Sequence, residues 1–554
     1  MLRELYNLSK SNHGLTLKPE GYNTLRIYYV ITLSADGKAL SVEILDKKSS
    51  KLAVPDYSKR NFLGNSLIAS ENAEYLFGLG TNGEKCQKAF VELHQAAFDQ
   101  TAEPAIAAIL KFSEAGSDAF ITDQPEMARW LCTEKSGSSS IPAKLRAVFL
   151  YESNPTYVHD YPNIQEFWGI YGASPSTKPG RCAITDADEI LTANFRGIKF
   201  SGSKALPITS AQHKSTRSYS GKLDGKSDIS YANLSVKAYS AANTMLSALL
   251  ASPDNCFRCD ESNYLYWCEG VPARSVMLSK LLGAEDAPAQ PADVKAYLAN
   301  IFRTKLSPQQ MNTTAFYLIR ARPSKGRPFL DAITERTVGS VMSNTTQFIE
   351  CQLAQGGKAY GVWMLAKCLQ PKGAKDALSA DVDALVCHAI DGTSLPTSFS
   401  ARLLQRVMLS PPKRVHFALL NLLIYTKTMN LSTLSLSETR AYRAGQLYNT
   451  LERLSHNRTD GWYEGKTNID RLYNTFLSMP AIALTRAMAL IPSYSKVAKN
   501  YDFQIQRISE LYKLEDDALF TLPKTFTVTE KQLFLAGYQA ESHAVRVAIA
   551  QSKS

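Results

Sequence analysis

The stretch FSGSKALPITSAQHKSTRSYSGK, residues 200–222, carries Lys204, Lys214, Arg217 and Lys222 among a histidine and a dense run of hydroxyls, with no carboxylate. Lysine and arginine supply charge to a phosphate, while hydroxyls and glycine-exposed backbone N–H groups donate hydrogen bonds without steric obstruction. With Lys199 and Lys226 at its margins, the segment 199–226 reads as a phosphate-facing loop. Phe200 and Tyr219 are expected to stack on unpaired bases, as in sequence-tolerant single-strand grooves. A second turn without carboxylates, RPSKGRP, follows the strand-like TAFYLIRA and adds Arg320, Arg322, Lys325 and Arg327. The plainer reading of both is solvated surface charge.

Groups suited to bond breaking are sparse. His159-Asp160 is a dipeptide of the kind that holds metals in phosphohydrolases, but it stands without a metal-spaced partner in NPTYVHDYP. Asp36 with Asp46-x-Lys48 echoes the carboxylate and lysine arrangement of metal-dependent nucleases. Neither a G-x-S-x-G elbow nor a phosphate-binding G-x-x-x-x-G-K-[ST] occurs. Cys256, Cys259 and Cys268 cluster in NCFRCDESNYLYWC, yet a zinc site needs a second ligand pair at sensible spacing. The chain is therefore expected to bind rather than catalyse, with no cofactor and no metal.

The elements that must hold these residues follow from pattern. Two β-rich runs flank Asp36-Gly37 in LRIYYVITLSADGKALSVEIL, which predicts a hairpin. A loop with Pro55, Lys59, Arg60 and Asn61 leads to a strand over Ser66–Ala69, and CQKAFVELHQAAF and PAIAAILKF read as helices. A helix is expected over Tyr231–Leu250 and a strand over Tyr264–Trp267. From about Thr346 the pattern is helical, with breaks at 355–357 and Pro411-Pro412. Capping boxes at Ser435-x-x-Glu438 and Thr527-x-x-Glu530 open apolar stripes, and Tyr501, Ile505, Ile508 and Tyr512 share one helical face.

The fold class is α+β: an N-terminal mixed α/β body with antiparallel sheets, then a C-terminal all-α bundle. Four regions are expected: 1–180, 181–345 with the basic loops, a helical connector 346–428, and a helical bundle 429–554. Lys plus Arg number 62 against 51 Asp plus Glu, a net charge of +11 that favours a polyanionic partner. At 45% hydrophobic and 20% charged residues, extensive disorder is excluded. The longest apolar run, Phe417 to Tyr425, is broken by Asn421 and too short to cross a bilayer. Nine thinly spread cysteines and an N-terminus without a secretory apolar run fit a cytoplasmic protein.

The collinear series P-x-Y-S-K-R-N-F-L with I-A-S-E-N-A-E-Y-L-F-G (55–78), KAFVELHQAAF, RCAITDADEILTANFRGIKFSGSKAL, Tyr219-Ser-Gly-Lys222, NYLYWCEG, FYLIRARPSKGRP, ARLLQRVMLS, AYRAGQLYNTLERL and EKQLFLAGYQAESHAV resembles the large subunit of the type I-C CRISPR surveillance complex, Cascade. The resemblance spans essentially the whole chain. It implies a non-catalytic subunit that recognises the short PAM duplex, promotes R-loop formation, holds the displaced non-target strand and docks the helicase–nuclease effector. Its implied partners are crRNA-bound backbone subunits, a crRNA-processing subunit, a small subunit and target double-stranded DNA, with no membrane. Sequence readout then belongs to guide pairing, which leaves the protein shape, backbone and a few base-edge contacts.

On that reading 199–226 faces DNA, and Lys59, Arg60, Asn61 and Asn72 are the groups expected near the PAM. Asn72 either reads a groove edge or holds its own backbone in a turn. Met429 is either an internal start for the small subunit or an ordinary loop methionine. Two other functions stay open: a metal-dependent nuclease or phosphohydrolase using His159, Asp160, Asp36 or Asp46, and a free-standing single-stranded DNA-binding protein.

Overall fold

A computed structural model describes the chain except residues 12–13, 16, 20, 47–49, 57–64, 81, 128–144, 172–176, 193–194, 196, 199, 201–205, 209–232, 260, 272–277, 284–295, 297–305, 324–327, 426–432, 513–520 and 552–554. It is α+β, as the patterning predicts. It divides into two compact units, Met1–Ala251 with Arg322–Phe329, and Ser252–Ala321 with Leu330–Ser554.

The first unit is built on a sheet ordered β3-β2-β6-β5, from Ala39–Ile44, Tyr29–Leu33, Arg146–Tyr151 and Ser70–Asn72. The predicted hairpin joins β2 to β3, and Gly37 at φ +79° takes the left-handed backbone that the turn needs. Alternation along the strands sends side chains to opposite faces. Ile31, Leu33 and Phe149 enter a large core with Phe90, Phe112, Phe120 and Trp168 from the helices Gly83–Thr101, Pro104–Asp123 and Pro162–Tyr171. Val30 and Val148 point the other way, onto Val54 of the ribbon formed by β1 (Tyr22–Arg26) and β4 (Lys51–Pro55).

The strand expected over Ser66–Ala69 lies instead at Ser70–Asn72. Ala69 turns with φ +47°, and the fully buried Glu71 carboxylate accepts from the Leu67 and Asn72 amides at 2.9 and 3.2 Å. A buried carboxylate on a three-residue strand leaves no apolar alternation to read. A third cluster of this unit joins the ribbon β7 (Thr177–Arg181) and β8 (Asp188–Thr192) to the helix Val236–Ala251 through Cys182, Ile184, Leu191, Leu234 and Tyr239.

The second unit carries a sheet ordered β11-β12-β13-β14 (Cys256–Cys259, Ser262–Cys268, Ala315–Arg322, Phe329–Thr337). Every residue of β12 is buried, and Trp267 stacks on Tyr317, its partner in register. The hairpin register places Cys259 and Cys268 at opposite ends of β12, so the cysteine cluster is not gathered. Helices from Val338 onward share one core with this sheet.

Both capping boxes form. Ser435 exchanges hydrogen bonds with Glu438, and Thr527 with Glu530. Ser437 donates to Glu530 at 2.8 Å, tying together the N-termini of the helices Leu436–His456 and Val528–Gln551. Among the described residues no helix is long and apolar enough to cross a membrane.

Candidate nucleic-acid interface

Both roots of the basic segment are fixed in the first unit. Upstream, β9 (Gly197–Ile198) pairs with β10 (Leu206–Pro207), Ile198 against Leu206. Downstream, the chain rejoins the β7/β8 ribbon: the Ala183 amide donates to the Asn233 carbonyl at 2.7 Å, and the Thr192 amide to Leu234 at 3.1 Å. Ser235 then accepts from the Ala238 amide at 3.1 Å in the first turn of the helix Val236–Ala251, while its own N–H reaches the Cys182 sulfur at 3.3 Å. Arg181 closes the intervening turn with two 2.9 Å bonds to the Asp186 carboxylate. Lys199, Lys204, Lys214, Arg217, Tyr219, Lys222 and Lys226 lie outside the described residues.

Phe200 does not fit its expected role. It is 2% exposed, so its ring belongs to the core and is closed to a stacking base. Composition identifies an aromatic residue but not the side of the chain on which it falls.

Around the expected PAM reader, Asn72 caps the helix Ala73–Phe77, its Oδ1 accepting from the Tyr75 amide at 3.4 Å. The backbone-holding role is therefore occupied. Lys59, Arg60 and Asn61 lie outside the described residues. The turn before Asn72 is braced from below by His94, which is fully buried. Its Nε2 accepts from the Ala69 amide at 3.0 Å, which assigns the proton to Nδ1 and lets that nitrogen donate to the Phe90 carbonyl at 2.8 Å. A second proton has no place, and burial pushes the His94 pKa down to about 4.

The linkage has a definite sign. Above the ordinary histidine pKa both folded and unfolded chains are neutral at this site. As pH falls through that value, the unfolded chain takes up a proton that the fold refuses. Stability of this unit should therefore decline as pH drops from about 6.5 to 4, by roughly 3 kcal/mol from His94. Denaturant melts of wild type and His94→Gln across that range measure it, and the variant should lose about half of the slope, because the buried His159 of the same unit is also pushed down to about 4 and keeps its share.

In the second unit Arg320 is held from two directions. Its guanidinium meets Asp331 at 2.6 Å and also pairs with Asp383 on the helix Ser379–Asp391, whose carboxylate takes a further hydrogen bond from the Tyr264 hydroxyl. Arg322 lies 5.0 Å above the ring of Phe329, an exposed residue across the mouth of the turn. Lys325 and Arg327 lie outside the described residues, as does Met429.

Among the groups weighed for catalysis, His159 is fully buried, stacks on Tyr157 and is pushed down to about 4 by burial; its Nε2 is 3.7 Å from Asp160. Asp36 sits at the exposed hairpin tip.

One aromatic and cationic group was not read from the sequence. The hairpin β15 (Asn457–Arg458) and β16 (Gly461–Trp462) holds Trp462 60% exposed and Tyr463 38% exposed. The guanidinium of Arg458 is 3.8 Å from the centroid of the Tyr463 ring. Asp460-Gly461 is the available signal, a dipeptide typical of hairpin turns, although the turn itself is Thr459-Asp460 and Gly461 already pairs with Arg458.

Compared with known proteins, the chain finds no match among curated ones. The family model described as CRISPR-associated protein (Cas_Csd1) matches residues 2–546, nearly the full length. The chain therefore belongs to the Cas_Csd1 family of CRISPR-associated proteins, that of the type I-C large subunit.

Proposed function

We propose that this Cascade component acts without catalysis: it recognises the PAM in target double-stranded DNA, promotes R-loop formation, holds the displaced non-target strand and docks the helicase–nuclease effector. The observation that carries the DNA role is the basic composition of the segment 199–226, whose chain is hydrogen-bonded into the fold at Ile198, at Leu206–Pro207 within it, and at Asn233–Ser235 after it. Anchored roots reduce the entropy lost when a cationic loop settles on a phosphate backbone. In the second turn, Arg320 anchors the strand through its two carboxylates, and Arg322, Lys325 and Arg327 face the DNA.

Lys59, Arg60 and Asn61, which precede the braced turn in sequence, are the groups that meet the PAM duplex, with Asn72 holding the start of the helix Ala73–Phe77. The partners are the crRNA-bound backbone subunits, the processing subunit and the small subunit. Replacing Lys59 and Arg60 with alanine removes two phosphate-range charges and should weaken target binding by roughly 30-fold at physiological salt. Gel-shift titration of the assembled crRNA complex against a PAM-bearing duplex measures this, and unchanged affinity removes both residues from the site.

A further inference from the structure

The hairpin at the end of the helix Leu436–His456 is built as a stack with one open face. Trp462 lies nearly parallel to the His456 imidazole, with centroids 5.2 Å apart and planes inclined by 10°. His456 cannot turn away: Nδ1 bonds the Tyr463 carbonyl, and Nε2 sits 3.0 Å from both oxygens of Asp470. Partial burial disfavours the charged imidazole, but those hydrogen bonds outweigh it and raise the His456 pKa above its ordinary value. The indole is thus fixed on one side by a braced ring and remains 60% exposed.

The surroundings carry both signs of charge: exposed Asp460 and Glu464 flank Trp462 in sequence, and Arg458, Lys496 and Lys499 supply the cations. The Lys499 amide donates to the Asn457 carbonyl at 2.8 Å and the Thr459 amide to the Val497 carbonyl at 3.0 Å, so the segment 497–499 lies along β15 with Ala498 bridged to Arg458. Exposed Lys499 follows the bridged Ala498 in the chain, and exposed Lys496 precedes it by two residues. Asp470, one of the nearby carboxylates, is engaged by His456 and by the Thr467 amide.

We propose that this hairpin is a base-stacking platform for single-stranded nucleic acid: an unpaired base lies on the open face of Trp462, and Arg458, Lys496 and Lys499 receive the flanking phosphates. The flat, pre-oriented ring with cations at its border matches a strand whose bases are free, because every base offers a π-face and the adjoining backbone is anionic. A duplex keeps its bases stacked inside and offers the indole nothing. An apolar protein partner would leave the lysines without partners. Only the origin of the strand rests on the role proposed above; the chemistry of the platform does not.

The test uses the full chain, titrated with fluorescein-labelled oligo-dT and with a labelled duplex of equal length. Trp462→Ala should weaken oligo-dT binding about tenfold with duplex binding unchanged, and Trp462→Phe should restore most of the loss. Thermal melting of both variants should match wild type, since the removed ring is on the surface. Equal weakening for duplex and single strand, or no weakening for oligo-dT, overturns the platform. So does loss of assembly with the other subunits while oligo-dT binding persists, because that result assigns the face to a protein. A Lys214/Arg217/Lys222 alanine variant, measured beside them, reports separately on the basic segment.

Discussion

Replacing Lys214, Arg217 and Lys222 together with alanine is expected to lower affinity for target DNA by about a hundredfold at physiological salt. Each cation that neutralises a phosphate releases condensed counterion, so the logarithm of the binding constant falls with the logarithm of salt by about 0.9 per contact. Three contacts make a slope of roughly 2.7, and at about 0.15 M salt that slope corresponds to a factor on the order of a hundred. The same variant should therefore show a shallower salt dependence, and its deficit should shrink as salt rises. A deficit that stayed constant with salt would mean that the three residues act through something other than phosphates. Stability should be untouched, because the buried anchors of this segment, Ile198, Phe200 and Leu234, are left intact. Arginine at all three positions should retain binding, whereas glutamine should not, since charge rather than hydrogen-bonding capacity supplies most of the term.

Much of the framework is legible in the sequence because it rests on local rules. Asp36-Gly37 announces its hairpin, Ser435 and Thr527 announce their helices, and Ile508 falls on the buried face that its periodicity predicts. The basic segment is legible as composition. What stays hidden is direction and long-range pairing.

Phe200 and Tyr219 look equivalent as potential stacking rings, yet Phe200 is core. Arg320 looks like a free cation until Asp331, 11 residues on, and Asp383, 63 residues on, are brought against it. His94 reads as one more residue of an alanine-rich helix, and its bond to the Ala69 amide spans 25 positions. The Trp462 platform escaped for another reason. Its two strands have only two residues each, too few to show alternation, and its stacking partner, His456, is the last residue of a preceding helix.

That helix is also where the fold should prove most sensitive. Leu436–His456 and Val528–Gln551 approach so closely that backbone meets backbone at two glycines. A Cβ on Gly445 would lie 1.8 Å from the Phe534 carbonyl oxygen, and one on Gly537 would lie 1.9 Å from that of Tyr442. Helix propensity alone predicts that Gly→Ala at either site stabilises by about 1 kcal/mol. Overpacking predicts the opposite, and the obstacle is main chain, which no rotamer change moves aside, so the cost should exceed the usual range and reach roughly 4 kcal/mol. Chemical denaturation of Gly445→Ala and Gly537→Ala decides between the two signs; a stabilised variant would mean that the helices do not cross at these residues. Moving the helices apart relieves both clashes at once, so the double variant should cost well under the sum of the singles. The same displacement tilts the helix that ends at His456, and oligo-dT binding through Trp462 should fall with it, at temperatures where the rest of the chain is still folded.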